Sequence, residues 1–150
     1  MSARLILNDR ERVGRWVAER VGRSTPWTTS GAIGLEKNGV LVAGIVIDGY
    51  VENARGSMHC AIDNKSMNKA FLMACFDYAF NFLNLKVLLN PVSASNAASV
   101  RFTEKIGFTE ITRVPLAWDG KETLILYQLR REECRWLKGD RNDIHQQKQT

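Results

Sequence analysis

A few side chains could carry chemistry in this chain. His59 has the intrinsic pKa of a general base, and it lies in Ser57–Ile62, a segment that reads as a strand. A packed strand residue is the alternative reading of the same histidine. Glu36 and Glu52 are further groups that could take up a proton. Cys60 stands beside His59, but no acid is placed to complete a Cys-His-acid triad. The three cysteines, Cys60, Cys75 and Cys134, show no CxxC or His-rich spacing, so neither a metal site nor a disulfide framework is indicated. Asn96 stands where a helix begins, as does Asn64 or Ser66. Side chains of these types cap helix N-termini.

The elements that must position these groups follow from periodicity. Asp9–Gly22 reads as a helix with Val13, Trp16, Val17 and Val21 on one face, capped by Asn8 or Asp9. Arg23–Ser30 reads as a loop from which Trp27 packs onto the sheet. Ala32–Lys37, Asn38-Gly39 and Val40–Tyr50 form a β-hairpin signal, because Asn-Gly suits a turn whose two central residues take positive φ. Asn53–Gly56 is the next turn. Ser66–Asn84 reads as a long helix with Phe71, Ala74, Cys75, Tyr78 and Phe82 as its buried stripe. Lys86–Leu89 is a short strand ending at Asn90-Pro91, and Asn96–Ile106 a further helix ended by Gly107. Thr109–Leu116 and Glu122–Leu129 are closing strands joined at Asp119-Gly120, and Arg130–Leu137 is a short terminal helix. The pattern predicts one α/β (α+β, mixed-sheet) domain over 1–137, followed by a disordered polar tail over 138–150.

Composition narrows the function classes. The chain has 150 residues, 45 % apolar and 25 % charged, the balance of a globular domain with one core. No apolar run is long enough to cross a bilayer, and the N-terminus has no signal-peptide pattern, so a cytoplasmic protein without a membrane partner is expected. The net charge of +5 suits an anionic ligand. Trp16, Trp27, Phe71, Tyr78 and Phe80 read as core residues, not as a spaced stacking platform, so nucleic acid is not the expected partner.

The segment from Asn96 through Glu104-Lys105-Ile106-Gly107-Phe108, behind the helix and strand described above, resembles the acyl-CoA N-acyltransferase (GNAT) superfamily. The resemblance spans roughly Gly31 to Leu129. A narrower one, to phage-encoded GNAT-like proteins, rests on Met58-His59, Phe76-Asp77-Tyr78-Ala79-Phe80 and Arg131-Glu132-Glu133-Cys134-Arg135-Trp136-Leu137.

The resemblance implies a GNAT fold with acetyl-CoA as co-substrate, held where two parallel strands part. It places the cofactor-binding residues at Ile62, Asn64, Lys65, Ser66, Met67, Asn68, Lys69 and Asn96. The pyrophosphate would rest on the helix N-terminus, where free N–H groups favour anions. The sequence departs from the family pattern there: Asp63 stands for the usual Arg or Gln, and Ser66 and Asn68 stand for glycines. The catalytic positions implied are His59 as base and Thr103, which occupies the place of the family's acid tyrosine. Two functions follow as expectations. One is an N-acetyltransferase acting on a primary amine. The other is a phage protein of the same fold that works by binding, in virion assembly or host takeover, with a protein partner or as a homodimer.

Overall fold

The computed structural model describes residues 3–7, 9–28, 30–63 and 68–137. The strands are β1 (Ala3–Ile6), β2 (Ser30–Lys37), β3 (Val40–Val51), β4 (Arg55–Ile62), β5 (Val87–Ser93), β6 (Thr109–Val114) and β7 (Leu124–Arg130), and the helices are α1 (Arg10–Val21), α2 (Lys69–Asp77) and α3 (Ala97–Lys105). They build a seven-stranded sheet in the order β1-β2-β3-β4-β5-β7-β6. Every neighbouring pair is antiparallel except β4 and β5, which are parallel as expected. The α2 crossover supplies the long connection that a parallel pair requires.

The Asn38-Gly39 turn forms with φ of 54° and 82°, the conformation its residues favour. Asp9 caps α1, its carboxylate accepting from Arg12 N at 3.1 Å. Helix α1 lies on one face of the sheet, with Val13 and Val17 fully buried beside Leu41 and Val46. Trp27 packs on this side, its Nε1 donating to Gly14 O at 2.9 Å. The opposite face carries the larger core, in which Ile45, Ile47 and Met58 of the sheet meet Phe71, Cys75 and Phe76 of α2.

Four expectations are corrected. The four-residue strand β1 was not foreseen; its register on β2, Ala3↔Lys37 to Ile6↔Gly34, is its reason to exist. The long helix ends in a π-helical turn over Tyr78–Phe82, with Leu83 N donating to Tyr78 O at 2.9 Å, five residues back. That turn rotates the stripe, so Ala79 and Phe80 are buried while Phe82 is 75 % exposed. Strand β5 does not end at Asn90-Pro91 but continues to Ser93 along β7. The terminal helix is instead two 3-10 turns, Arg131–Glu133 and Arg135–Leu137. They pack on the core through Leu137 and through Trp136, whose Nε1 donates to Ile106 O at 2.8 Å. The tail over 138–150 lies outside the described residues.

Candidate active site

The parallel ladder between β4 and β5 is short. It pairs Arg55 with Val87, Gly56 with Leu88 and Ser57 with Leu89, and then stops. Beyond that point β4 remains paired to β3 as far as Ile62, and β5 remains paired to β7 as far as Ser93. The two halves of the sheet therefore part between Met58–Ile62 and Asn90–Ser93, leaving a cleft of about 300 Å3.

The phase of the β3–β4 ladder decides which backbone groups face the cleft. Asp63 N donates to Val42 O at 2.7 Å, which makes Ile62↔Ala43 a pair without mutual hydrogen bonds. In an antiparallel ladder this phase alternates. His59 and Ala61 therefore spend their N–H and C=O groups on β3, while those of Cys60 and Ile62 point into the opening. Their side chains turn to the α2 face and pack on its core.

The cleft walls come from several elements. His59 and Ile62 line it from β4, Asp63 from just past its end, and Asn90, Pro91, Val92 and Ser93 from β5. Ser99, Phe102 and Thr103 line it from α3 and Asn96 from its cap, Arg20 and Val21 from α1, and Trp118 from the β6–β7 connection. Asn96 caps α3, accepting from Ser99 N at 3.1 Å, so one side chain both starts the helix and faces the cleft. The Arg20 guanidinium carbon sits over Trp16, 3.7 Å from its ring centre, with Nε 3.4 Å from the Asp63 carboxylate.

Asn90 and Thr103 meet at the floor, the amide and hydroxyl 3.4 Å apart and both side chains nearly buried. The Asn90 amide is assigned the orientation that satisfies both its ends: its nitrogen then donates to Met58 O at 3.2 Å and Pro91 O at 3.3 Å, and its oxygen accepts from the Thr103 hydroxyl.

The His59 ring lies 5.0 Å from that of Trp27. Burial pushes its pKa down to about 4; the Arg23 charge adds to this and the Asp48 carboxylate opposes it. The imidazole is neutral at pH 7 and a weak base. Burial drives the Cys60 thiol up to about 12, which leaves it protonated and a poor nucleophile.

Four of the expected site residues, His59, Ile62, Asn96 and Thr103, thus line one cleft. Asn68 caps α2, accepting from Phe71 N at 2.6 Å, and Lys69 is exposed in its first turn. Asn64, Lys65, Ser66 and Met67 lie outside the described residues. Glu36 is held by Arg4 at 3.0 Å and Arg12 at 2.7 Å, and Glu52 sits exposed in the β3–β4 turn; neither lines the cleft. Sequence reasoning missed Asn90, Arg20 and Trp118 as cleft residues. The only signal for Asn90 was the proline after it. Among the described residues, no cluster of His, Cys, Asp and Glu could hold a metal ion, and no helix is long and apolar enough to cross a membrane.

No protein-family model matches the chain, and no curated protein matches its sequence. Solved structures do match its fold. One is a dodecameric spermidine N-acetyltransferase from Vibrio cholerae, with a TM-score of 0.69 and 14 % identity, covering 87 % of this chain and 94 % of that one. Another is yncA from Salmonella typhimurium with its cofactor acetyl-CoA, with a TM-score of 0.67 and 14 % identity, covering 90 % and 97 %. The GNAT-like fold expected from the resemblance is the fold observed.

Proposed function

We propose that the chain is an N-acetyltransferase that takes acetyl-CoA into the β4–β5 cleft and passes the acetyl group to a primary amine. The observation that carries this reading is the end of the parallel ladder at Ser57↔Leu89, which leaves the Cys60 and Ile62 backbone groups facing the opening without a strand partner among the described residues. An extended amide-containing chain such as the arm of CoA can pair with such an edge as a strand would. The likeness of fold to an acetyltransferase and to a structure holding acetyl-CoA supports the same reading.

The chemistry needs little from titrating side chains. The amine nitrogen attacks the thioester carbon and forms the C–N bond. The carbonyl oxygen gains charge, and the Cys60 N–H is directed to stabilise it. The C–S bond then breaks and CoA leaves as thiolate. The amine must lose one proton, and the thiolate takes up another. His59, with a pKa near 4, holds no proton at neutral pH and takes one only weakly. Attack by an amine that is already neutral, with release of its proton to water, fits this site best. The Thr103 hydroxyl gives its single hydrogen to the Asn90 oxygen, so the leaving thiolate takes its proton from water.

A second reading is a protein of this fold that binds and does not catalyse, in phage assembly or host takeover. The weak base at His59 and the threonine in the acid tyrosine's place favour it. Calorimetric titration with CoA and acetyl-CoA, followed by acetylation assays on a panel of amines, decides between the two. Saturable binding with transfer supports the first. No binding of either compound rejects it.

A further inference from the structure

The ladder between β4 and β5 ends for a reason that can be read in the backbone. Hydrogen-bond phase again identifies the groups. Arg131 N donates to Lys86 O at 3.0 Å and Ala94 N to Thr123 O at 2.9 Å, which fixes the β5–β7 ladder. Leu88, Asn90 and Val92 therefore bond toward β7, and Val87, Leu89, Pro91 and Ser93 face β4. Val87 N donating to Ala54 O at 3.1 Å agrees with this phase.

In a parallel ladder continued by one step, the Met58 carbonyl would accept from the N–H of residue 91. That residue is proline and has no N–H. With the Asn90 amide in the orientation assigned above, the neighbouring side chain replaces the missing donor, its Nδ2 reaching Met58 O at 3.2 Å. A proline in an interior strand removes a ladder bond. Here the lost bond lies on the β4 side, and β5 stays intact on β7. Met58 is 1 % exposed, so its carbonyl would lie buried without a partner if Asn90 could not donate.

We infer that Asn90 and Pro91 together set the point at which the sheet opens, with Asn90 as a positioning residue that holds the β4 wall of the cleft in place for the acyl donor. This rests on the acyl-CoA reading for its functional part. Pro91 stops the strands from zipping together, and Asn90 satisfies the carbonyl left behind. In the same orientation its oxygen accepts from the Thr103 hydroxyl, which ties α3 to the same point. A purely packing role would not need a proline and an amide donor in this phase.

The test separates stability from binding. Asn90→Ala leaves Met58 O without a donor, and the melting temperature should fall by about 3 °C or more. Asn90→Asp keeps the shape without the N–H and should behave the same way. Asn90→Ala combined with Pro91→Ala supplies a backbone N–H at position 91. The melting temperature should then return toward that of the parent, and the new amide should be protected from hydrogen exchange. CoA affinity, measured by calorimetry, should drop at least about tenfold because the cleft has closed by one step.

Recovery of stability together with parental CoA affinity would overturn the inference. So would rapid exchange at the residue 91 amide. If the parent protein binds no CoA, the acyl-CoA reading fails, while the exchange and melting measurements still decide whether Asn90 and Pro91 open the sheet.

Discussion

Gly34 and Gly44 face each other across β2 and β3, and each lies beneath a valine of α1. A Cβ on Gly34 would stand 2.8 Å from Val13 Cγ2, and one on Gly44 2.8 Å from Val17 Cγ2. The glycine pair lets the helix sit directly on the sheet. Because α1 also carries Arg20, this close approach sets the height of one rim of the cleft.

Gly44→Ala should therefore cost about 1–3 kcal/mol, the usual cost of overpacking. Its contact is a buried valine with Trp16 also close at 3.4 Å, so the helix has to lift. Thermal unfolding should show a melting temperature lower by several degrees. An unchanged value would show that α1 is not held at this distance.

His59 gives a pH dependence of definite sign. Its folded pKa, about 4, lies below the ordinary value of 6.5. Between these values the unfolded chain binds more protons than the folded one, so stability rises with pH. The effect is absent above about pH 6.5, grows as pH falls through the window, and levels off below about pH 4, with an upper bound of about 3 kcal/mol. His59→Gln should flatten that part of the profile, measured by urea unfolding from pH 7 to 4. An unaltered acid profile would mean that the histidine is solvated. In the parent, the transfer rate should show no step near pH 6.5 and should follow the ionisation of the acceptor amine.

Asn96 and Asn68 cap the two helices that come after the parted strands, and they separate capping from ligand contact. Each Asn→Ala change should cost about 1 kcal/mol. Asn96 also lines the cleft, so Asn96→Ala should weaken CoA binding in calorimetry as well. Asn68 has φ −141°, which any residue can adopt, and glycine is tolerated at a cap. Asn68→Gly should leave stability within a few tenths of a kcal/mol. If the loop before α2 receives the pyrophosphate, this change should tighten CoA binding.

Much of the frame was legible because it is local. The Asn38-Gly39 hairpin, the valine face of α1 and the Asn96 cap each depend on residues close in sequence. The GNAT-like order of elements followed from them. Strand β1 was not legible, because Ala3–Ile6 has no burial pattern of its own and forms only by lying on β2. The cleft was half legible. His59, Ile62, Asn96 and Thr103 converge on it, but the meeting of Asn90 with Met58 and Thr103 joins three separate elements and has no periodicity. Asn90-Pro91 reads as the end of a strand, and it does end one ladder. A sequence cannot say which side of a strand loses its partner; that depends on phase across two neighbours.

The π-helical turn at Tyr78–Phe82 has a consequence for chain length. A turn closed five residues back holds one residue more than an α-helical turn of nearly the same span. It works as slack in the crossover from β4 to β5, taking up a residue without displacing the next strand. Strand β5 itself has no such slack. Side chains and bonding groups alternate along it, so a shift of one place would turn Pro91 toward β7 and break the ladder that must stay whole. The segment is thus forgiving of a lost residue within 78–82 and unforgiving between Leu85 and Pro91. The difference between an open sheet and a torn one is a matter of odd and even.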